Sequence, residues 1–271
     1  EDWVTDANGY IWRAISQIAS ATAFEKVQNP EHAFEAGYVL GHFHRMVSDL
    51  PCDQLRYALP GFHVTPGYLA KLDAALATPE GQERVQTSPD AKRALRFVEE
   101  RRGRCSVLEN ALKSGELQLR TTHGDPKVGN IMIDTATGRG TCIVDLDTVQ
   151  PGLVHYDIGD ATRSACNPAG EDAPDLASVI FDLDLFTAIY RGYRSHAKDF
   201  LSPAELKFLY DCIHLIPLEL GIRFLADHVA GDVYFKVRYP GHNLRRALVQ
   251  FKLAESIEAR EGSIRKVIGE S

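Results

Sequence analysis

Three short stretches of alternating apolar and polar residues interrupt a sequence whose apolar residues otherwise recur every three or four positions. The alternation predicts strands at 117–122, 131–133 and 141–146, with the last two joined by a turn at 135–140. The wider spacing on both sides predicts helices. A chain with this order of elements is expected to form a mainly helical α+β domain, with a small sheet inserted among the helices.

Capping signals mark where several helices should begin. Asn29-Pro30 and Ser88-Pro89 each combine an N-cap residue with proline at the first helical position, and Ser202 to Glu205 has the form of a capping box. The predicted helices cover 30–50, 68–77, 89–112, 203 to beyond 223, and 243–259, and the helical pattern is expected to return from residue 176 onward.

The first residues carry a separate turn signal. Asn8-Gly9 lies between apolar residues, which predicts a β-hairpin over 3–12 whose second strand continues through 14–18. The chain starts with neither methionine nor a signal sequence, so we expect processing or a longer gene product.

Composition excludes several classes of protein. A formal net charge of −7 argues against nucleic acid or an anionic membrane as a partner. The five cysteines have no C-x-x-C spacing, which argues against a disulfide framework or a zinc site and favours a reducing cytoplasm. The apolar stretch 212–230 contains charged residues and is therefore expected to be a buried helix, not a membrane span.

The densest polar segment, 122–134, falls on the turn between the first two predicted strands. Asp125 could accept a proton from a substrate hydroxyl, and Lys127 could neutralise a transferring phosphoryl group. The side-chain oxygen of Asn130 could ligate Mg²⁺, which prefers oxygen ligands. All three roles belong to one reaction, the transfer of a phosphoryl group to a hydroxyl.

Two further carboxylates, Asp145 and Asp147, stand at the end of the last predicted strand. Side chains two apart on a strand share a face, so this pair is expected to suit a divalent metal. The intervening hairpin is short, which would place Asp145 beside Asn130. The arrangement is the catalytic-loop and metal-aspartate layout of eukaryotic-like kinases.

The motif His123-Gly124-Asp125-x-x-x-x-Asn130, followed by Val144-Asp145-Leu146-Asp147, resembles the aminoglycoside phosphotransferase and choline kinase superfamily. Within it, the branch of N-acetylhexosamine 1-kinases is similar to this chain at 145–152, 156–163, 223–227, 231–235 and 242–244.

The resemblance implies a protein-kinase-like fold and a role for each matching residue. Asp125 would be the catalytic base, Lys127 a phosphate contact, and Asn130 and Asp145 the Mg²⁺ ligands, with Asp147 bound to a second metal or to the sugar. His123 would be structural, with its ring bonded to backbone or to an aspartate such as Asp157. Arg223 and Tyr234 match positions that contact the sugar in the hexosamine kinases.

The implied reaction is transfer of the γ-phosphoryl group of ATP, with Mg²⁺, to the anomeric hydroxyl of an N-acetylhexosamine. Aminoglycosides, choline and homoserine are alternative acceptors, and a non-catalytic pseudokinase-like binding protein is the alternative from another class. Arg223 could equally be a structural ion-pair partner.

One departure concerns the N-terminal lobe, whose glycine-rich loop and lysine this sequence does not contain. We therefore expect residues 1–20 to be the remnant of that lobe and its hinge, and 21–271 to be the helical C-terminal lobe. Gln17, Ile18 and Ala19 would lie at the linker where backbone groups meet adenine. On this interpretation the chain is a fragment of a longer kinase and binds nucleotide weakly by itself.

Several other polar groups are expected to be structural. His42 and His44, two apart on a helix, face different directions and should not chelate a metal. The arginines within 101–104 and 245–246 have acidic neighbours and should be solvated helix faces. Nothing near Cys166 would lower its pKa, so it is not expected to be a nucleophile.

Overall fold

A computed structural model describes residues 3–198 and 200–269. At the N-terminus, β1 (Val4–Thr5) and β2 (Ile11–Trp12) pair antiparallel, which confirms the predicted hairpin. The predicted continuation of the second strand through 14–18 is wrong, because those residues are irregular and Ile15 is 84% exposed. A strand needs a partner, and pairing resumes only at β3 (Ala21–Thr22).

The remaining strands form two small sheets around the polar segment. β4 (Arg120–Thr122), β5 (Ile131–Asp134), β6 (Gly140–Ile143) and β7 (Gln150–Gly152) follow in chain order. One sheet has the order β3-β5-β6, and the other pairs β4 with β7. All these pairs are antiparallel, and the predicted hairpin of 131–133 with 141–146 is confirmed, although β6 ends at Ile143.

Helices make up most of the described residues, and the mainly helical α+β prediction is confirmed. Before the sheets lie α1 (Pro30–Met46), α2 (Thr65–Leu76), α3 (Pro79–Thr87), α4 (Pro89–Arg101) and α5 (Val107–Lys113). After them lie α6 (Val154–Ala165), α7 (Leu183–Ala197), α8 (Pro203–Lys207), α9 (Leu209–Ala230), α10 (His242–Glu258) and α11 (Glu261–Gly269).

The predicted caps are present, but several helix ends differ from the prediction. Asn29 and Ser88 each accept a hydrogen bond from a backbone N–H of their helix, and the Ser202 capping box is complete. The helix expected over 89–112 breaks into α4 and α5 at a 3₁₀ turn that contains Gly103. The helix expected up to residue 50 ends at Met46.

Three helices, α3, α6 and α11, were not predicted at all. In α3 only Gly81 and Val85 are buried, so its sequence carries almost no apolar stripe. α11 follows α10 after the two turn residues Ala259 and Arg260, and it buries only Ile264 fully.

The core lies between the helices and is organised around α9. This helix is buried along most of its 22 residues and packs against α2, α6 and α10. Glycines allow α1 and α7 to approach closely, because a Cβ on Gly37 would overlap the Ile189 carbonyl and one on Gly192 would overlap the Phe34 carbonyl. Across 3–198 and 200–269, no helix is both long enough and apolar enough to cross a membrane.

Candidate active site

The polar segment forms a compact loop between β4 and β5, which ends in a 3₁₀ turn at Val128–Asn130. Oδ2 of Asp125 accepts hydrogen bonds from Nζ of Lys127 at 2.5 Å and from Nδ2 of Asn130 at 3.3 Å. The same Nδ2 donates to the Asp125 carbonyl at 2.7 Å. The fold therefore brings Asp125, Lys127 and Asn130 together, as their spacing predicts.

A buried carboxylate on α6 anchors the start of this loop. Asp157 accepts hydrogen bonds from the backbone N–H of His123 at 2.6 Å and of Gly124 at 2.9 Å. Its third partner is Nε2 of His44 on α1, at 2.8 Å. Burial alone would raise the pKa of Asp157, but its hydrogen bonds with the His44 side chain and the His123 backbone bring it below the usual range.

His123 links the loop to the end of β6. Its buried ring places Nε2 3.0 Å from the Val144 carbonyl, and the Asp125 N–H donates to Nδ1 at 3.3 Å. In these contacts Nε2 donates to the carbonyl oxygen and Nδ1 accepts from the N–H. The ring therefore contacts backbone, and Asp157 binds the backbone of His123, an arrangement that fits the expected structural role.

Asp145 lies immediately beside the loop, because the Val144 N–H donates to the Asn130 carbonyl at 2.9 Å. Asp145 has a left-handed backbone (φ 66°) and caps a 3₁₀ turn, Leu146–Thr148. The expectation that Asp145 and Asp147 share a strand face is wrong, since the strand has already ended. The carboxylate of Asp147 instead pairs with Arg13 at 2.5 Å, on the surface.

The residues near Asp125 fit a magnesium ion shared with nucleotide phosphates. Oδ1 of Asn130 and the carboxylate of Asp145 are hard oxygen donors, and neither accepts a hydrogen bond from any residue of 3–198 or 200–269. The described part of the chain contains no group of three or more His, Cys, Asp or Glu side chains that could hold a metal. Mg²⁺ commonly takes only one or two protein carboxylates and completes its shell with phosphates and water.

Lys127 carries a positive charge at this point. Partial burial would lower its pKa, but the carboxylates of Asp125, Asp160 and Asp145 raise it above the ordinary lysine value. A charged ammonium group is what the neutralisation of a transferring phosphoryl group requires.

The predicted linker lies at the other side of the small sheet. Gln17, Ile18 and Ala19 are irregular and precede β3, and the Ser20 carbonyl accepts a hydrogen bond from the Thr135 N–H at 2.8 Å. The linker leads into β3, and β3 pairs directly with β5, the strand that follows Asn130.

Arg223 and Tyr234 line one pocket of about 360 Å³, between α2, α9 and the segment 59–62. The Arg223 side chain is 15% exposed, and its guanidinium lies 4.9–5.6 Å from the ring centres of Phe62, Tyr68 and Phe235. Tyr234 is 75% exposed at the rim. The structure therefore places both residues predicted from the sugar-kinase motif at the same pocket.

The carboxylate of Asp227, which also lines the pocket, is already engaged. Its oxygens accept hydrogen bonds from the backbone N–H groups of residues 233, 234 and 235 and from Nδ2 of Asn243, at 2.8–3.0 Å. Asp227 thus holds the segment that carries Tyr234 in place. Lys71 adds a second positive charge to the lining.

Sequence reasoning missed the buried histidines that surround this site. His44 was expected to be structural but without an assigned partner, and it binds Asp157 and the Tyr193 hydroxyl at 2.8 and 3.0 Å. His63, in the segment before α2, bridges Glu219 and the Gly124 carbonyl. No motif contains these residues, and their partners are distant in sequence.

The expectation of solvated helix faces at the arginines is only partly right. Arg102 is partly exposed and pairs with Glu99 and Asp73, but Arg101 and Arg246 are each 16% exposed and pair with Glu258 and Glu171. Burial raises the pKa of the Cys166 thiol well above its ordinary value, which opposes a nucleophilic role.

Comparison with known proteins agrees with the class that this fold and loop define, a small-molecule phosphotransferase with a kinase-like fold. The model of the phosphotransferase enzyme family (APH) matches residues 4–194. The chain belongs to this family, whose members are small-molecule kinases and phosphotransferases.

Solved structures support the same fold. An aminoglycoside phosphotransferase from Alicyclobacillus acidocaldarius has a TM-score of 0.61 and 16% identity, over 100% of this chain and 75% of that one. A Plasmodium vivax ethanolamine kinase has a TM-score of 0.56 and 14% identity, and the match covers 90% of this chain and 65% of the kinase. A choline/ethanolamine kinase family protein from Mesorhizobium loti has a TM-score of 0.52 and 17% identity, and the match covers 97% of this chain and 77% of that protein. The predicted superfamily is confirmed, and the closer relation to N-acetylhexosamine kinases stays a prediction.

Proposed function

We propose that this chain carries the acceptor site and catalytic loop of an ATP-dependent kinase that phosphorylates the anomeric hydroxyl of an N-acetylhexosamine. The observation that carries the proposal is the cluster of Asp125, Lys127 and Asn130 beside Asp145. His63 connects this loop to a pocket that Phe62 lines, and the cationic and aromatic side chains of that pocket suit a neutral sugar.

Each residue of the loop has a distinct role in the proposed reaction. Asp125 orients the acceptor hydroxyl and takes its proton, and Lys127 faces the charge on the transferring group. Asn130 and Asp145 would hold Mg²⁺, which neutralises phosphate charge when bound. Asp147 would have to leave Arg13 to serve as a further ligand, and an exposed pair of this kind stabilises by only about 0–1 kcal/mol.

On the nucleotide side, we propose that the backbone of Gln17, Ile18 and Ala19 contacts adenine. These residues lead into β3, and β3 pairs directly with β5, the strand after Asn130. This position supports the assignment. The division into 1–20 as a remnant of an N-terminal lobe and 21–271 as a C-terminal lobe is likewise a proposal.

The charge of the pocket favours a neutral acceptor over an amine. A quaternary ammonium group binds among aromatic rings, but here the Arg223 guanidinium already lies among Phe62, Tyr68 and Phe235. Asp227 is the one carboxylate among the described lining residues, and its oxygens are occupied by backbone and Asn243. Choline, aminoglycosides and similar cations would therefore be repelled.

³¹P NMR with Mg-ATP tests the function directly, on the chain and on the longer gene product if one exists. With N-acetylglucosamine or N-acetylgalactosamine we expect a new phosphomonoester signal coupled to the anomeric proton, and no product from choline, homoserine or an aminoglycoside. Phosphorylation of an amine acceptor in preference to the sugar would contradict the acceptor assignment. Magnesium-dependent nucleotide binding without turnover of any acceptor would instead identify a non-catalytic protein.

Replacing Arg223 with alanine should raise the KM for the sugar with little change in Tm. Loss of a charge-assisted hydrogen bond costs about 1.5–3 kcal/mol, which corresponds to a rise in KM of roughly 10- to 100-fold. Arg93→Ala, at an exposed pair on α4, is the matched control and should leave KM unchanged. If Arg223→Ala lowers Tm and leaves KM as it is, Arg223 is a structural ion-pair partner.

A further inference from the structure

A buried ion pair lies between the catalytic loop and the acceptor pocket. Nδ1 of His63 is 3.0 Å from Oε1 of Glu219 on α9, and Nε2 is 3.2 Å from the Gly124 carbonyl oxygen. Glu219, only 1% exposed, also accepts a hydrogen bond from the Thr65 hydroxyl at 3.0 Å. Both partners of the His63 ring are thus inaccessible to bulk water.

The two partners determine the protonation state of the ring. A carboxylate oxygen and a carbonyl oxygen can only accept hydrogen bonds, and a neutral imidazole has a single N–H to donate. Both contacts are satisfied only by the imidazolium form. A neutral ring would leave a lone pair facing an oxygen in a buried site, which is unfavourable.

The surroundings of the ring favour that charged form. Burial by itself would lower the pKa of His63, but Glu219 and Asp160 raise it above the ordinary histidine value, against the opposing charge of Arg223. Tyr156 of α6 is a further titratable group packed on the ring, with its ring centre 5.5 Å away in a stacked arrangement.

The hydrogen bond from His63 acts on the peptide that leads into the proposed base. The carbonyl of this Gly124–Asp125 peptide faces His63, and its N–H donates to Nδ1 of His123 at 3.3 Å. The peptide is therefore held from both sides by histidine rings. The Asp157 carboxylate holds the two preceding backbone N–H groups, those of His123 and Gly124, by hydrogen bonds.

We propose that the His63 imidazolium, paired with Glu219, is a positioning residue that fixes the Gly124 carbonyl and thereby the direction in which the Asp125 carboxylate points. The proposal rests on the proposed role of Asp125 as the base. It also joins that base to the acceptor pocket, because Phe62 beside His63 lines the pocket and Arg223 lies 4.0 Å from Glu219.

Kinetics of His63→Gln test the positioning role. A base displaced by a fraction of an ångström should cost about 10- to 100-fold in kcat, while the sugar KM stays within about threefold. In the wild-type protein the imidazolium is present at low pH and is lost as pH rises through its raised pKa, so kcat should fall on the alkaline side. That fall should be absent in His63→Gln.

His155→Gln is the matched control. His155 is equally buried on α6, but its ring contacts the Glu205 carbonyl and not the catalytic loop. We expect a similar effect on Tm and an unchanged pH profile. Equal losses of kcat in both variants, with the alkaline limb retained in both, would overturn the proposal.

A second measurement is independent of turnover and separates failure of this proposal from failure of the proposed function. In ¹H–¹³C NMR of the full chain, the His63 ring should remain an imidazolium at pH 7.5, above the ordinary histidine pKa of about 6.5. The Gly124 and Asp125 amide signals should shift with it at higher pH, and Glu219→Gln should lower the pH of both changes. A neutral His63 at pH 7.5 would refute the positioning role even if the sugar kinase activity is found. So would Gly124 and Asp125 amide signals that do not shift as His63 titrates.

Discussion

Replacing Asp125 with asparagine should lower the rate of phosphotransfer by about 10²- to 10⁴-fold, the usual contribution of a positioned general base. The amide keeps the shape of the side chain, and it can still accept a hydrogen bond from Lys127, but it cannot take the proton of the acceptor hydroxyl. Because the Asp125 side chain is only partly buried, Tm should change little. The rate is measured as formation of the phosphomonoester by ³¹P NMR.

Two comparisons make the Asp125 result specific. Asp90→Asn removes an exposed carboxylate paired with Arg93 at 3.1 Å, so both the rate and Tm should stay at the wild-type values. The affinity of Asp125→Asn for Mg-ATP should also be preserved, since the proposed metal ligands remain. A variant that still transfers phosphate at a wild-type rate would remove Asp125 from the role of base.

Asp157→Asn should produce the largest loss of stability, about 3–5 kcal/mol, because it removes the charged acceptor of three buried hydrogen bonds. The substitution places an NH₂ group or a weaker acceptor against the N–H groups of His123 and Gly124 and against Nε2 of His44. The catalytic loop loses its anchor at the same time, so activity should fall even in the molecules that remain folded. Urea denaturation measures the change in the free energy of unfolding.

The pH dependence of the free energy of unfolding gives a second test of the Asp157 carboxylate. Its pKa lies below the unfolded value of about 3.9, so its stabilising contribution is complete above that value and is lost as pH falls through the folded pKa. Asp157→Asn should flatten the acid side of the stability curve. Asp184→Asn, at an exposed position of α7, should change the free energy of unfolding by less than about 0.5 kcal/mol. Equal effects of the two substitutions would contradict the anchoring role.

Much of the candidate site could be predicted because its parts are close in sequence. Asp125, Lys127 and Asn130 lie within one turn between two short strands, so chain geometry alone brings them together. Capping residues likewise predicted the starts of α1, α4 and α8, since a cap acts on the helix that it precedes. These signals are local, and so is the motif that indicates the family.

Local patterns were misleading where an element depends on a partner. Residues 14–18 have the composition of a strand but no neighbouring strand, and they are irregular. The strand expected to carry both Asp145 and Asp147 ends at Ile143, and the left-handed backbone of Asp145 separates the directions of the two carboxylates. Alternation along a chain cannot show where pairing stops.

Residue types and short spacings were therefore sufficient for the mainly helical α+β class, the superfamily and the loop that carries Asp125. The groups that hold this loop were decided by tertiary packing. His44 reaches Asp157 across 113 positions because α1 packs against α6, and His63 reaches Glu219 across 156 because α2, which follows His63, packs against α9. A buried charge is stable only where a distant partner compensates it, and no local pattern specifies that partner.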